Sequence, residues 1–269
     1  MTDLRLSRRA AAPGVPSWAL GVAGVATFLL LAELLPRIGV VDARFTPPAS
    51  EVFLALVRQA SDAAFWLALL HTIVTWGAGL AIALLAGIAL GVLFGTVRFL
   101  REFTASTIEF LRPVPSVALL PVAVLLLGTG MASTIFLVVY AAFWQVLIQV
   151  MAGVQDVDPV AADTARSYRF GLWRRIRTVV WPTALPYAMT GLRLAASVAL
   201  ILTVTGELLI SFDGIGGRLE VARQSGAVAS MYAYVFVAAL LGLAVNLLAR
   251  RFESSVLFWH PSIRGEVAA

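Results

Sequence analysis

Glu33, His71 and Glu207 are titratable side chains that stand within or beside long apolar runs of this sequence. Acid–base work by an intramembrane enzyme would fall to them, and Glu207 would be the proton carrier of a proton-coupled secondary transporter. Their neighbours support neither chemistry. The other histidine, His260, lies far along the chain, and no paired metal-ligand helix motif, nucleophile elbow or carboxylate cluster accompanies these groups. Cysteine is absent and all 20 basic residues are arginines, which excludes thiolate metal sites, Schiff bases and a phosphate-loop lysine. If nucleotide energy is used, a partner must supply the nucleotide site.

A second polar set interrupts the apolar runs. Gln145 and Gln149 stand at i and i+4 on one helical face, and Ser197, Thr203 and Glu207 follow in a later run. Amides and hydroxyls in lipid must face protein or water, so these five either line a solute pathway or hydrogen-bond helix to helix. Glu207, near the far end of its run, is expected at a watery vestibule. Arg193 lies about two turns inside the same run and must snorkel to the headgroups or pair.

The elements that must position these residues are membrane helices. With 60% hydrophobic and 13% charged residues and a mean hydropathy of +0.91, the chain's main solvent is lipid. The expected class is all-α, a polytopic membrane protein with six transmembrane helices at about 17–35, 67–97, 115–127, 131–151, 185–210 and 231–248. Together they form one permease-like unit over 17–251 between tails at 1–16 and 252–269. The first run is read as an uncleaved anchor because it is long for a signal core. Glu33 is expected to reach the interface near its far end. Between 37 and 62 the chain is polar, and Ser50 is placed to cap an amphipathic helix over 51–59 on the membrane surface.

Gly79, Ala83, Gly87, Gly91 and Gly95 recur every four residues. Such a ridge admits a close helix, either from a second copy or from the same subunit. Pro121 is expected to loosen the third span, and Gly128-Thr129-Gly130 to make a turn. Gly214-Ile215-Gly216-Gly217 also reads as a turn, since it lacks the setting of a dinucleotide fingerprint.

Six spans place both termini on one side. That side carries fourteen arginines against five opposite, so the positive-inside rule predicts cytoplasmic tails. The net charge of +5 is explained by these span ends and the lipid headgroups, not by nucleic acid.

The same side holds the stretch 156–186, the long polar interruption of the second half. Asp158-Pro159 is an N-cap carboxylate followed by a proline at the first helical position. A short helix is expected from there to Ser167, with Asp163 and Arg166 as its charges. A second helix should run from Gly171 to Val180 and stop at Trp181-Pro182 and Pro186. The pair reads as a cytoplasmic handle between membrane helices.

Here the residues carry a resemblance. Asp158-Pro159, Asp163-Thr164-Ala165-Arg166-Ser167, Trp173, Pro182, Leu185-Pro186 and Gly191-Leu192-Arg193-Leu194 resemble the EAA loop of permease subunits of binding-protein-dependent ABC importers. The nitrate/sulfonate/taurine branch is matched further through 47–56, 112–121 and Trp259-His260-Pro261. The resemblance implies that Asp158, Pro159, Ala162, Asp163, Thr164, Ala165, Arg166, Ser167, Phe170 and Gly171 form a coupling helix and its turn. It implies docking on a cytoplasmic ATPase dimer that binds ATP and Mg, with no cofactor in this chain. It also implies a periplasmic or lipid-anchored binding protein, a homodimer in the bacterial inner membrane, and a small anion or a vitamin-like heterocycle as cargo. Arg169 stands where the family carries a glycine. Either the reversal is built differently or Gly171 takes the turn.

Overall fold

The structure, a computed structural model, describes residues 17–210 and 213–259. The tail expected over 1–16 and the end of the other, with His260, lie outside the described residues. The described residues form helices and no strand: α1 (Ser17–Arg37), α2 (Ala49–Ala60), α3 (Ala63–Thr96), α4 (Arg98–Leu111), α5 (Leu120–Leu127), α6 (Met131–Gln155), α7 (Pro159–Ser167), α8 (Leu172–Arg175), α9 (Trp181–Ile210), α10 (Gly214–Gln224) and α11 (Val228–Val256). Among the described residues five rods are long and apolar enough to cross a membrane: Trp18–Arg37, Ala63–Thr96, Met131–Gln155, Leu172–Ile210 and Val228–Val256.

A sixth crossing is present only when a bent pair is taken as one span. The region 115–127 holds a 3-10 turn, Ser116–Leu119, and the eight-residue α5, which by themselves are short for a bilayer. They join α4 across a bend of 85°. Prolines 113 and 115 make the corner, and Pro121 sits in the first turn of α5, where its missing N–H leaves no bond unmade.

The core is a three-helix layer of α3, α6 and α9. In lipid, burial gives little drive for helices to associate, so close van der Waals packing must hold them. The small-residue ridge of α3 meets a ridge of α6 with the same four-residue period. A Cβ on Gly79 would lie 2.9 Å from Val138 Cβ, on Gly87 2.7 Å from Val146 Cβ, on Gly91 2.8 Å from Val150 Cβ and on Gly95 2.7 Å from Val154 Cβ. The partners advance in step in the same sense, so α3 and α6 run parallel. The ridge therefore packs inside one subunit. On its other side α6 meets α9 running the opposite way, with Gly153 against Ala184 and Tyr187, Gly191 against Val146 and Gln149, and Gly206 against Thr134.

Two expectations at helix ends are corrected. Ser50 does not cap α2; Pro48 holds that position, and the Glu33 carboxylate accepts from Ser50 N at 2.8 Å and Ser50 Oγ at 2.9 Å. Nor do Pro182 and Pro186 stop a helix. From Leu172 to Ile210 the chain is one rod of 39 residues. A single π-helical turn, Ile176–Val180, ends one residue short of Pro182, and this wider turn is where the helix accommodates the ring and its lost donor.

Candidate functional site

The loop between α6 and the long rod is built from local rules. Asp158 Oδ1 accepts from Val160 N at 2.8 Å, capping α7 at the residue before Pro159. The helix ends in a reversal in which Arg169 N donates to Arg166 O at 2.8 Å and Phe170 N to Ala165 O at 3.0 Å. That double bond pattern is the left-handed helix terminus usually built on glycine. Arg169 takes the left-handed conformation itself, with φ of 53°, as the one non-glycine residue with positive φ among those described. Gly171 does not take the turn. It is extended, with φ of −60° and ψ of 159°.

The side chains divide the loop into a fixed and a free face. Ala165 is buried, Ala162 and Phe170 are half-buried, and the Arg174 guanidinium lies 4.1 Å from the Phe170 ring centroid. Asp163, Thr164, Arg166 and Ser167 are exposed, Asp163 being paired with Arg166 at 2.8 Å. Val160, Tyr168, Leu172 and Trp173 present large apolar surface on the same loop. An apolar face framed by one ion pair is more bare apolar area than a lone subunit usually exposes. Behind it, Tyr187 Oη donates to Asp156 Oδ2 at 2.8 Å, tying the rod to the last turn of α6.

The five polar residues in the apolar runs are not gathered on one surface. Gln145 and Gln149 are half-buried on α6, where Gln149 abuts Gly191. Ser197 is exposed and lines a groove between α9 and α11 with Leu200, Ile201, Thr205 and Gly242. Thr203 is fully buried and donates to Ala199 O at 2.8 Å. Glu207 faces no vestibule. It is 1% exposed, accepts from Thr72 Oγ1 at 2.9 Å and Gly216 N at 3.1 Å, and has His71 Nδ1 at 3.5 Å.

The glycine-rich segment after Glu207 is the first turn of α10, not a simple turn. Ile215 N donates to Thr72 Oγ1 at 2.9 Å, so a hydroxyl and a carboxylate together satisfy the free N–H groups of that helix start. Gly214, at φ of 81°, lies so close to the Glu207 carboxylate that a side chain there would strike it. At the other end of α10, Arg223 and Gln224 hold the Glu220 carboxyl down at about 2. Arg193 is resolved as a paired charge. Its Nη1 lies 3.2 Å from Glu253 Oε2 on α11, which continues as helix beyond the expected end of the last span.

Comparisons with known proteins agree with this architecture. Residues 79–257 match the model of the binding-protein-dependent transport system inner membrane component. The chain is 26% identical to the putative aliphatic sulfonates transport permease protein SsuC of Bacillus subtilis (strain 168), over 92% of this chain and 90% of the relative. It is 28% identical to the taurine transport system permease protein TauC of Escherichia coli (strain K12), over 91% of each. Its fold resembles a chain of a bacterial ABC transporter involved in the import of the acidic polysaccharide alginate, with a TM-score of 0.64 at 16% identity over 89% of this chain and 96% of that one. A MetNI methionine ABC transporter chain gives 0.56 at 18% identity, over 77% and 99%. With a capped, exposed α7 mounted on a transmembrane rod and the family model running from the middle of α3 to the end of α11, the chain belongs to the binding-protein-dependent transport system inner membrane components, the permeases of ABC importers, and is a transporter subunit rather than an enzyme.

Proposed function

We propose that this chain is the pathway-forming subunit of an importer for a small organic or inorganic anion, working as a homodimer on a cytoplasmic ATPase dimer. The single observation that carries the reading is the mounting of α7. The helix is capped by Asp158, closed by the turn at Arg169 and followed, two residues on, by the unbroken rod Leu172–Ile210. Only the short reversal over 168–171 separates α7 from the rod, so a push on α7 is passed to the membrane through four residues. ATP and Mg are bound by the ATPase, whose groove receives Val160, Tyr168 and the Asp163–Arg166 pair. A periplasmic or lipid-anchored binding protein delivers the solute at the opposite face, near α2 and α10. The fourteen-to-five arginine asymmetry supports cytoplasmic tails and a cytoplasmic α7. The sulfonate, taurine and nitrate permeases among the relatives favour a small anionic cargo.

Purification tests the reading. The chain alone should hydrolyse no ATP and should copurify with an ATPase. Asp163→Arg should insert normally in the membrane but lose uptake, because it puts two like charges where the ion pair was. Full uptake by that variant, or uptake driven by a proton gradient without an ATPase, would overturn it.

A further inference from the structure

Glu207 is a buried carboxylate that no arginine reaches. The arginine ion pairs among the described residues go to Glu33, Glu102, Asp163, Glu253 and Glu220, and the base beside Glu207 is His71. The bonds from Thr72 Oγ1 and Gly216 N both fall on Oε2. Oε1 is left facing His71 Nδ1 at 3.5 Å, and each of these two buried atoms lacks a hydrogen bond. Two orphaned polar atoms turned toward each other mark a place for something that both can hold.

A metal ion does not suit the place. No third histidine, cysteine or carboxylate joins the pair among the described residues, and Gly214 lies against the carboxylate, which closes the space. A proton needs no volume. With one proton between Oε1 and Nδ1 the pair carries a net negative charge, which is costly to bury. The start of α10 offsets only about half a charge. A second proton, on Nε2, makes an imidazolium beside the carboxylate and brings the net charge to zero. The His71 side chain is 27% exposed, so its ring has an open edge by which that proton enters. Other charges do not compete. α6 carries none, and Arg193 of α9 is paired with Glu253. On α10, Arg223 is paired with Glu220, Arg218 acts with Asp62 on Tyr234 of α11, and Asp213 is exposed before Gly214.

We propose that the His71–Glu207 pair binds one regulatory proton and so latches the start of α10 onto α3 and α9. With the proton held, Gly216 N stays on Glu207 and Ile215 N on Thr72. With the proton lost, an uncompensated negative charge draws in water and the first turn of α10 loosens. Across the range in which histidine titrates, the latched pair holds the extra proton, so latching is favoured at low pH and lost as pH rises. The proton enters and leaves by one face, so it regulates transport and does not drive it. The site stands on contacts within this chain. That it senses the outer compartment rests on the orientation proposed above.

The complete complex with its ATPase and binding protein would be reconstituted in phosphatidylcholine vesicles and followed by hydrogen exchange over 213–220. Each rate is divided by that of the unfolded peptide at the same pH, which removes the intrinsic effect of pH on exchange. From about pH 5.5 to about pH 8.5, wild-type protection should fall about fivefold or more. Glu207→Gln is neutral at every pH, keeps an acceptor for Thr72 and Gly216, and should stay protected throughout. His71→Gln keeps a donor but takes up no proton, and should show the low, alkaline protection at both values. Wild-type protection that does not change with pH, or a change that persists in His71→Gln, would overturn the latch, and the second variant decides the matter even where Glu207→Gln does not fold. ATP-driven uptake together with pH-independent protection defeats this inference alone. A pH-dependent latch in a complex with no ATP-driven uptake defeats the importer reading and leaves the proton site standing.

Discussion

Thr72 Oγ1 donates to Glu207 Oε2 at 2.9 Å, and through that bond α3 is fastened to α9 and to the start of α10. The hydroxyl also accepts from Ile215 N. One small side chain thus serves a buried carboxylate and a helix terminus together. Thr72→Val keeps the shape and removes both bonds. Orphaned buried groups cost about 1–3 kcal/mol each, so a clearly lowered unfolding midpoint in detergent is expected. Thr72→Ser should stay near wild type. An unchanged midpoint in the valine variant would show that the bonds contribute nothing.

The parallel ridges of α3 and α6 predict a coupled pair. Gly87→Val places a side chain on Val146 and should destabilise by about 1–3 kcal/mol through overpacking. Val146→Ala, added to it, should recover part of that loss, so the two changes are not additive. Additive losses in a thermal-unfolding cycle would count against direct contact.

At the end of α7, Arg169 holds a left-handed backbone that costs a non-glycine residue about 1–2 kcal/mol. Arg169→Gly should protect α7 against limited proteolysis, and Arg169→Val should expose it. If cleavage rates in the two variants are equal, the turn is not strained.

Glu220 gives a pH prediction outside the spans. Arg223 and Gln224 lower its carboxyl from 4.5 to about 2. Between those values the unfolded chain binds more protons than the folded one, so the contribution to stability is present above about 4.5 and is lost as pH falls toward 2. The acid-unfolding curves of wild type and Glu220→Gln should therefore converge across that window. Curves that remain parallel would show that the pair contributes nothing.

What could be read in the sequence was what depends on near neighbours. The cap at Asp158-Pro159 and the four-residue ridge of α3 follow from local spacing, and both are found. The substitution at Arg169 was visible too, but whether it or Gly171 would turn the chain depends on backbone angles that composition does not carry. Contacts between distant parts were hidden. Glu207 finds Thr72 135 positions away, and Glu33 finds Ser50 across a polar excursion of 17. The prolines of the rod misled because a wider helical turn can accommodate what an ordinary one cannot.

The contact between Gly191 and Gln149 falls midway along the rod Leu172–Ile210. At about 1.5 Å per residue the rod is about 58 Å long, leaving two equal arms on either side of that contact. Gly153 against Tyr187 and Gly206 against Thr134 make the same close approach toward either end, so the rod is seated on α6 along much of its length and the two helices move as one body.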